Sequence, residues 1–135
     1  MNELTKEKIC EFVEKSIVNR HYNDELLFSL PLKTIEKVKK RLYFDLKCYS
    51  GVISSHSIRH IKRGHPDDLG YICEILEIIQ NFSSVKKSII RDQKTGASLV
   101  SLEFYKTYAN HTVKLVKLKV HRHKRLELKT LFVKD

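Results

Sequence analysis

Thr112-Val113-Lys114-Leu115-Val116-Lys117-Leu118-Lys119-Val120-His121 is followed, after a short basic turn, by Leu126-Glu127-Leu128-Lys129-Thr130-Leu131-Phe132-Val133. Successive side chains of a strand point to opposite faces. Val116, Leu118 and Val120 therefore take one face, and Lys117, Lys119, His121 and His123 the other. The pattern predicts a strand with a core side and a cationic side. Working outward, Val85 to Arg91 and Leu99 to Tyr108 read as two further strands joined by a turn around Asp92 to Gly96. With the segment Leu126 to Val133 they make an antiparallel meander of about four strands.

Upstream of residue 84 the period becomes helical. Leu4 to Asn19 places Leu4, Ile9, Phe12, Val13 and Ile17 on one face of an amphipathic helix. Leu26 to Leu30 reads as a short strand or turn stopped by Pro31, Thr34 to Leu42 as a second helix, and Tyr43 to Ile53 as a strand ending near Gly51. Ser54 or Ser55 caps a short helix from His56 to Arg63, which Gly64 and Pro66 stop. Asp67 or Asp68 caps the next, whose Leu69, Ile72, Cys73, Leu76 and Ile79 predict the most buried helix of the chain. Helices first and strands afterwards predict an α+β architecture, with N-terminal helices packed on one side of a C-terminal antiparallel sheet of about four strands.

The composition, 135 residues with 41% hydrophobic and 31% charged, suits a single folded domain spanning residues 1–135. No apolar run is long enough for a membrane span, and the opening residues carry acids and no apolar signal region. A soluble protein with no membrane partner is expected. Three cysteines, Cys10, Cys48 and Cys73, form no C-x-x-C pair. That odd count suggests neither a disulfide framework nor a thiolate zinc site, and makes a reducing cytoplasm the expected compartment, with Cys73 a small core residue.

Net charge is +10, and residues 104–135 hold nine basic against two acidic residues, so +7 of it belongs to the C-terminal quarter. Such a field attracts nucleic acid, an acidic protein or an anionic surface, although a solvated basic face has the same composition.

Ser54-Ser55-His56-Ser57-Ile58-Arg59-His60-Ile61-Lys62-Arg63-Gly64-His65-Pro66-Asp67 carries the most chemistry. At about 100° per residue, His56, Arg59, His60 and Arg63 share one helix face, opposite Ile58 and Ile61. His65 follows the helix stop, where a loop can turn its imidazole toward His60. Two imidazoles beside two guanidiniums suit a metal-independent ribonuclease. A neutral ring takes the proton of the RNA 2′-hydroxyl, a protonated ring gives one to the departing 5′-oxygen, and the cations stabilise the phosphorane-like transition state. Two other readings remain open. Basic residues near a helix C-terminus complement its macrodipole without further function. His56 and His60 at i,i+4 also have metal-ligand spacing, but Arg59 stands between them and the zinc-hydrolase glutamate is missing.

The order of helix, strand, His-rich helix-loop, long apolar helix and strands closing on Leu126-Glu127-Leu128-Lys129-Thr130-Leu131-Phe132 resembles the phage and mobile-element branch of the barnase, EndoU, colicin and RelE ribonuclease group. The resemblance covers roughly residues 45–133 and rests on "His-Ile-x-x-x-His" and a terminal "Thr-x-Phe". It implies variable N-terminal helices over 1–45 and a nuclease core over 46–135. It also implies no metal or other cofactor, and cleavage of RNA, transfer RNA included, through a 2′,3′-cyclic phosphate, in a toxin or phage-conflict setting. By motif position, His60 and His65 become the acid/base pair, Thr130 a phosphate-contacting hydroxyl and Lys106 a strand lysine of the site. The chain departs from the pattern in having no glutamate of the barnase type unless Glu103 serves.

Unbroken strand alternation puts Thr130 with Leu126, Leu128 and Phe132, where it would be a packed residue instead. Tyr105 and Tyr108 either stack on unpaired bases or are ordinary sheet residues. Two further function classes fit the composition. One is a noncatalytic RNA- or DNA-binding module using Lys117, Lys119, His121, Arg122, His123 and the Arg59 and Arg63 helix face. The other is an interaction domain whose cationic face docks an acidic antitoxin or immunity protein.

Overall fold

Thr5 accepts a bond from the Lys8 amide and so opens α1, Lys6–Val18, whose Ile9, Phe12 and Val13 are buried. The computed structural model describes residues 5–109, 113–121 and 123–134, apart from the side chains of 113–115, 117, 119, 121 and 134. After α1 come β1 (Glu25–Ser29), α2 (Leu32–Leu42), β2 (Ser50–Ser54) and α3 (Ser55–Gly64). A 3-10 helix over Pro66–Glu74 then leads into α4 (Ile75–Gln80), β3 (Ser84–Arg91), β4 (Ser98–Thr107), β5 (Val113–His121) and β6 (Arg125–Lys134). The fold is α+β.

The sheet is larger than the sequence pattern predicts. It has six strands in the order β1-β2-β6-β5-β4-β3, because the two short upstream strands join the C-terminal meander. β2 pairs antiparallel with β1 and parallel with β6, so the sheet is mixed rather than antiparallel. Parallel pairing across such a sequence distance leaves no local turn signal, which is why the pattern alone stops at four. Gly51 is required at this junction. A Cβ there would overlap the ring of Phe28, its partner on β1.

Two buried rows run across the meander: Val85, Phe104, Val116 and Leu131 in register, then Leu102, Leu118 and Leu128. Between the rows β6 has one extra residue, since Lys117 pairs with Thr130 while Leu118 pairs with Leu128. This bulge at Lys129 reverses the parity of the strand. Leu131 turns into the core and Thr130, half-buried, lies on the opposite face, which corrects the unbroken alternation.

α3, the 3-10 helix and α4 contribute Ile58, Ile61, Ile72, Ile75, Ile78 and Ile79 to the same core. The single helix expected over Asp67 to Ile79 is thus two, a 3-10 segment and a short α-helix. Gly70 inside it disfavours a continuous α-helix. Asp68 caps a different element, its carboxylate accepting the Val133 amide of β6 at 3.1 Å. Cys10 of α1 and Cys73 of the 3-10 helix form a disulfide across 63 residues, and Cys48 is free and exposed. This overturns the expectation of unpaired thiols. Packing of α1 against the 3-10 helix brings the two Cα atoms to 5.2 Å, a proximity that sequence spacing does not encode. Among the described residues no helix is long and apolar enough to cross a membrane.

Candidate active site

α3 starts where β2 ends. The Ser54 hydroxyl accepts the Ser57 amide at 3.1 Å and so caps the helix, and the buried Ile58 and Ile61 fix which face turns inward. His56 and His60 are consequently exposed on the outer face, one turn apart. Beside them β2 stops pairing at Val52–Glu127, so β6 beyond that point presents an edge to α3. The cleft between helix and strand, about 240 Å³, is walled by His56, Ser57, His60, Glu127, Leu128 and Lys129. Two imidazoles, a carboxylate and an ammonium thus face one opening. Ser54 links the two walls, donating from its hydroxyl to Ser57 and lying 3.4 Å from the Glu127 carboxylate.

His65 stands farther along. As the residue after α3 its amide bonds the Ile61 carbonyl at 2.7 Å, and its half-buried ring stacks on Phe132 with centroids 4.8 Å apart and planes 17° from parallel. Thr130 shares with Phe132 the face of β6 that the bulge created. The helix-loop and the terminal strand singled out in the sequence therefore meet, but through two contacts. His60 faces Glu127 and Lys129 across the cleft, and His65 packs against Phe132 beyond it.

Arg59 serves the scaffold. Its guanidinium donates to the carbonyls of Ser16, Asn19 and Tyr22 and to the Asn23 side chain, which ties α3 to the end of α1 and the connection that follows. Ser55 adds to this tie, accepting from the Ser16 hydroxyl and the Asp24 amide. Arg63 remains exposed on the last turn of α3, and His123 is exposed in the β5–β6 turn. The side chains of Lys117, Lys119 and His121 lie outside the described residues, as does Arg122; on the backbone, Lys117 pairs with Thr130, Lys119 with Glu127 and His121 with Arg125.

Lys106 belongs to another part of the molecule. It pairs with Glu77 of α4 and lies 5.1 Å from the centroid of Tyr108. Glu103 accepts the Tyr105 hydroxyl at 2.8 Å, and Lys86 lies 5.4 Å from the centroid of the same ring. Burial, followed by the Glu103 carboxylate, pushes the Tyr105 phenol above its ordinary pKa. The carboxylate that lines the cleft is Glu127, not Glu103. Its signal in the sequence is its place between Leu128 and Leu126, both inward, on the strand that ends in Thr-x-Phe. Among the described residues no three His, Cys, Asp or Glu side chains cluster as metal ligands would.

No curated protein and no solved structure gives a significant match to this chain. A family model described as phage-Barnase-EndoU-ColicinE5/D-RelE like nuclease3 matches residues 32–135, from the first residue of α2 to the last of the chain, and so includes both walls of the cleft. A match of that extent makes the chain a member of the phage-Barnase-EndoU-ColicinE5/D-RelE like nuclease family.

Proposed function

We propose that this nuclease is a metal-independent endoribonuclease whose active site is the cleft between α3 and β6. The observation that carries the reading is the pairing of His56 and His60 with Glu127 and Lys129 around one opening inside the family-matched region. Imidazole is suited to both halves of RNA cleavage, because it exchanges protons near neutral pH. One ring takes the 2′-hydroxyl proton as that oxygen attacks phosphorus. The other delivers a proton to the 5′-oxygen as its bond to phosphorus breaks. The products are a 2′,3′-cyclic phosphate and a free 5′-hydroxyl.

His60 is the central ring, with His56 as its partner in the same cleft. Lys129 is set to stabilise the charge that grows on the phosphoryl oxygens, and Glu127 to orient an imidazole. His65, just after α3, and Thr130, farther along β6, serve as contacts to the flanking substrate, as do Arg63 and His123. A structured RNA such as transfer RNA, met in a toxin or phage-conflict setting and held in check by an acidic partner protein, fits the basic C-terminal quarter.

Single alanine variants at His56, His60 and His65 test the assignment against a labelled RNA substrate, with EDTA present throughout. The expected result is loss of cleavage with retained RNA binding for His60→Ala and His56→Ala, and a smaller loss for His65→Ala. Full activity in both of the first two variants, or abolition by EDTA, overturns it.

A further inference from the structure

A second hollow of about 800 Å³ adjoins the cleft and shares His56 with it. A strand whose reacting phosphate lies between His56 and His60 therefore continues into the larger groove. Its volume falls in the range of roughly 300–1,000 Å³ that small-ligand sites occupy.

The two walls of this groove are chemically unlike. His123, Lys124 and Arg125 of the β5–β6 hairpin form one, and Asn23, Asp24 and Glu25 at the entry to β1 form the other. Leu27, 59% exposed, supplies apolar surface between them. The cationic wall suits a sugar-phosphate backbone. Ionised carboxylates accept hydrogen bonds and cannot donate them, so the acidic wall suits a base edge that carries an amino group. Uracil has no amino group and presents there a single ring N–H flanked by two carbonyl oxygens, which the carboxylates repel. Arg125 pairs with Glu25, which holds that carboxylate at the groove, and Arg59 braces the acidic wall through Tyr22 and Asn23.

We propose that this groove is a nucleotide subsite for an unpaired residue next to the scissile linkage, and that Glu25 with Asp24 selects adenine, cytosine or guanine over uracil. The proposal rests on the ribonuclease reading above, and one set of strands separates the two. DNA oligonucleotides containing a single ribonucleotide confine cleavage to one linkage, and adenine, cytosine, guanine or uracil is placed beside it in turn. Strands with that one ribose 2′-O-methylated bind but resist attack. Cys48, which lines the groove and is the one free thiol among the described residues, reports occupancy by its rate of alkylation.

Uracil beside the linkage is expected to lower kcat/KM by roughly tenfold relative to the amino-bearing bases, and Glu25→Gln to reduce that gap to a few fold. The methylated strands are expected to slow Cys48 alkylation in the same order of bases. Equal cleavage of all four, an unchanged preference in Glu25→Gln, or cleavage without protection of Cys48 overturns the subsite. Protection of Cys48 that follows base identity and depends on Glu25, with no strand cut, supports the subsite while the ribonuclease reading fails.

Discussion

Two sides of the molecule, one beside β3 and β4 and one between α3 and β6, both carry basic side chains and place them in opposite ways. On the β3–β4 side, α2 lays Lys33, Thr34, Lys37 and Arg41 along the chain leaving α4. Lys33 donates to the Asn81 side chain, Thr34 to the Ile79 carbonyl, Lys37 to the Phe82 carbonyl and Arg41 to the Ser83 carbonyl. Lys37 also sits 4.1 Å from the centroid of Phe82, where burial, with Lys33 and Arg41 adding to it, pulls its ammonium below the ordinary lysine pKa. These cations staple one helix to the end of another. On the α3–β6 side, His56, His60, His123 and Lys124 are exposed around open hollows. Charge counted along a sequence does not separate a staple from a binding surface. What separates them is whether acceptors from the chain itself surround the cation.

If that contrast is right, the largest effect belongs to His60→Ala, which should lower kcat by about 10²–10⁴-fold while leaving the melting temperature unchanged. Parallel cleavage assays and thermal scans check it. Next comes Cys10→Ser, which opens the link between α1 and the 3-10 helix and should lower stability by about 2–4 kcal/mol in urea titrations. Arg59→Ala should do some of both. Losing its bonds to the α1–β1 connection should reduce stability by about 1.5–3 kcal/mol and also kcat, because it lies between His56 and His60 on the same helix. The smallest effect is expected from Lys106→Ala on the staple side, with cleavage unchanged and a stability loss under about 1 kcal/mol. A strong loss of cleavage in that variant would extend the site across the sheet and dissolve the contrast.

Much of this was legible before the structure. Alternation located β3 to β6, and the Ser54 cap with Gly64 and Pro66 bounded α3. What escaped depends on contacts between distant residues. The parallel pairing of β2 with β6, the Cys10–Cys73 bond and the role of Arg59 as a brace all join segments far apart in sequence, with no local signal at either partner. The bulge at Lys129 had a greater consequence than its size suggests. One inserted residue moved Thr130 off the core face and left Lys129 beside Glu127 on the cleft wall, whereas unbroken alternation would have buried the first. The outer face of the histidine helix was readable because its apolar residues, Ile58 and Ile61, fixed its orientation. Its partner on β6 was only half readable.

The most direct measurement is the chemistry of the ends left on RNA. Purified protein is incubated with a defined RNA in EDTA, and the new termini are mapped beside those from His60→Ala. The account predicts 2′,3′-cyclic phosphates and 5′-hydroxyls that vanish in the variant. Ends bearing 5′-phosphates, or identical cyclic ends from His60→Ala, would contradict it.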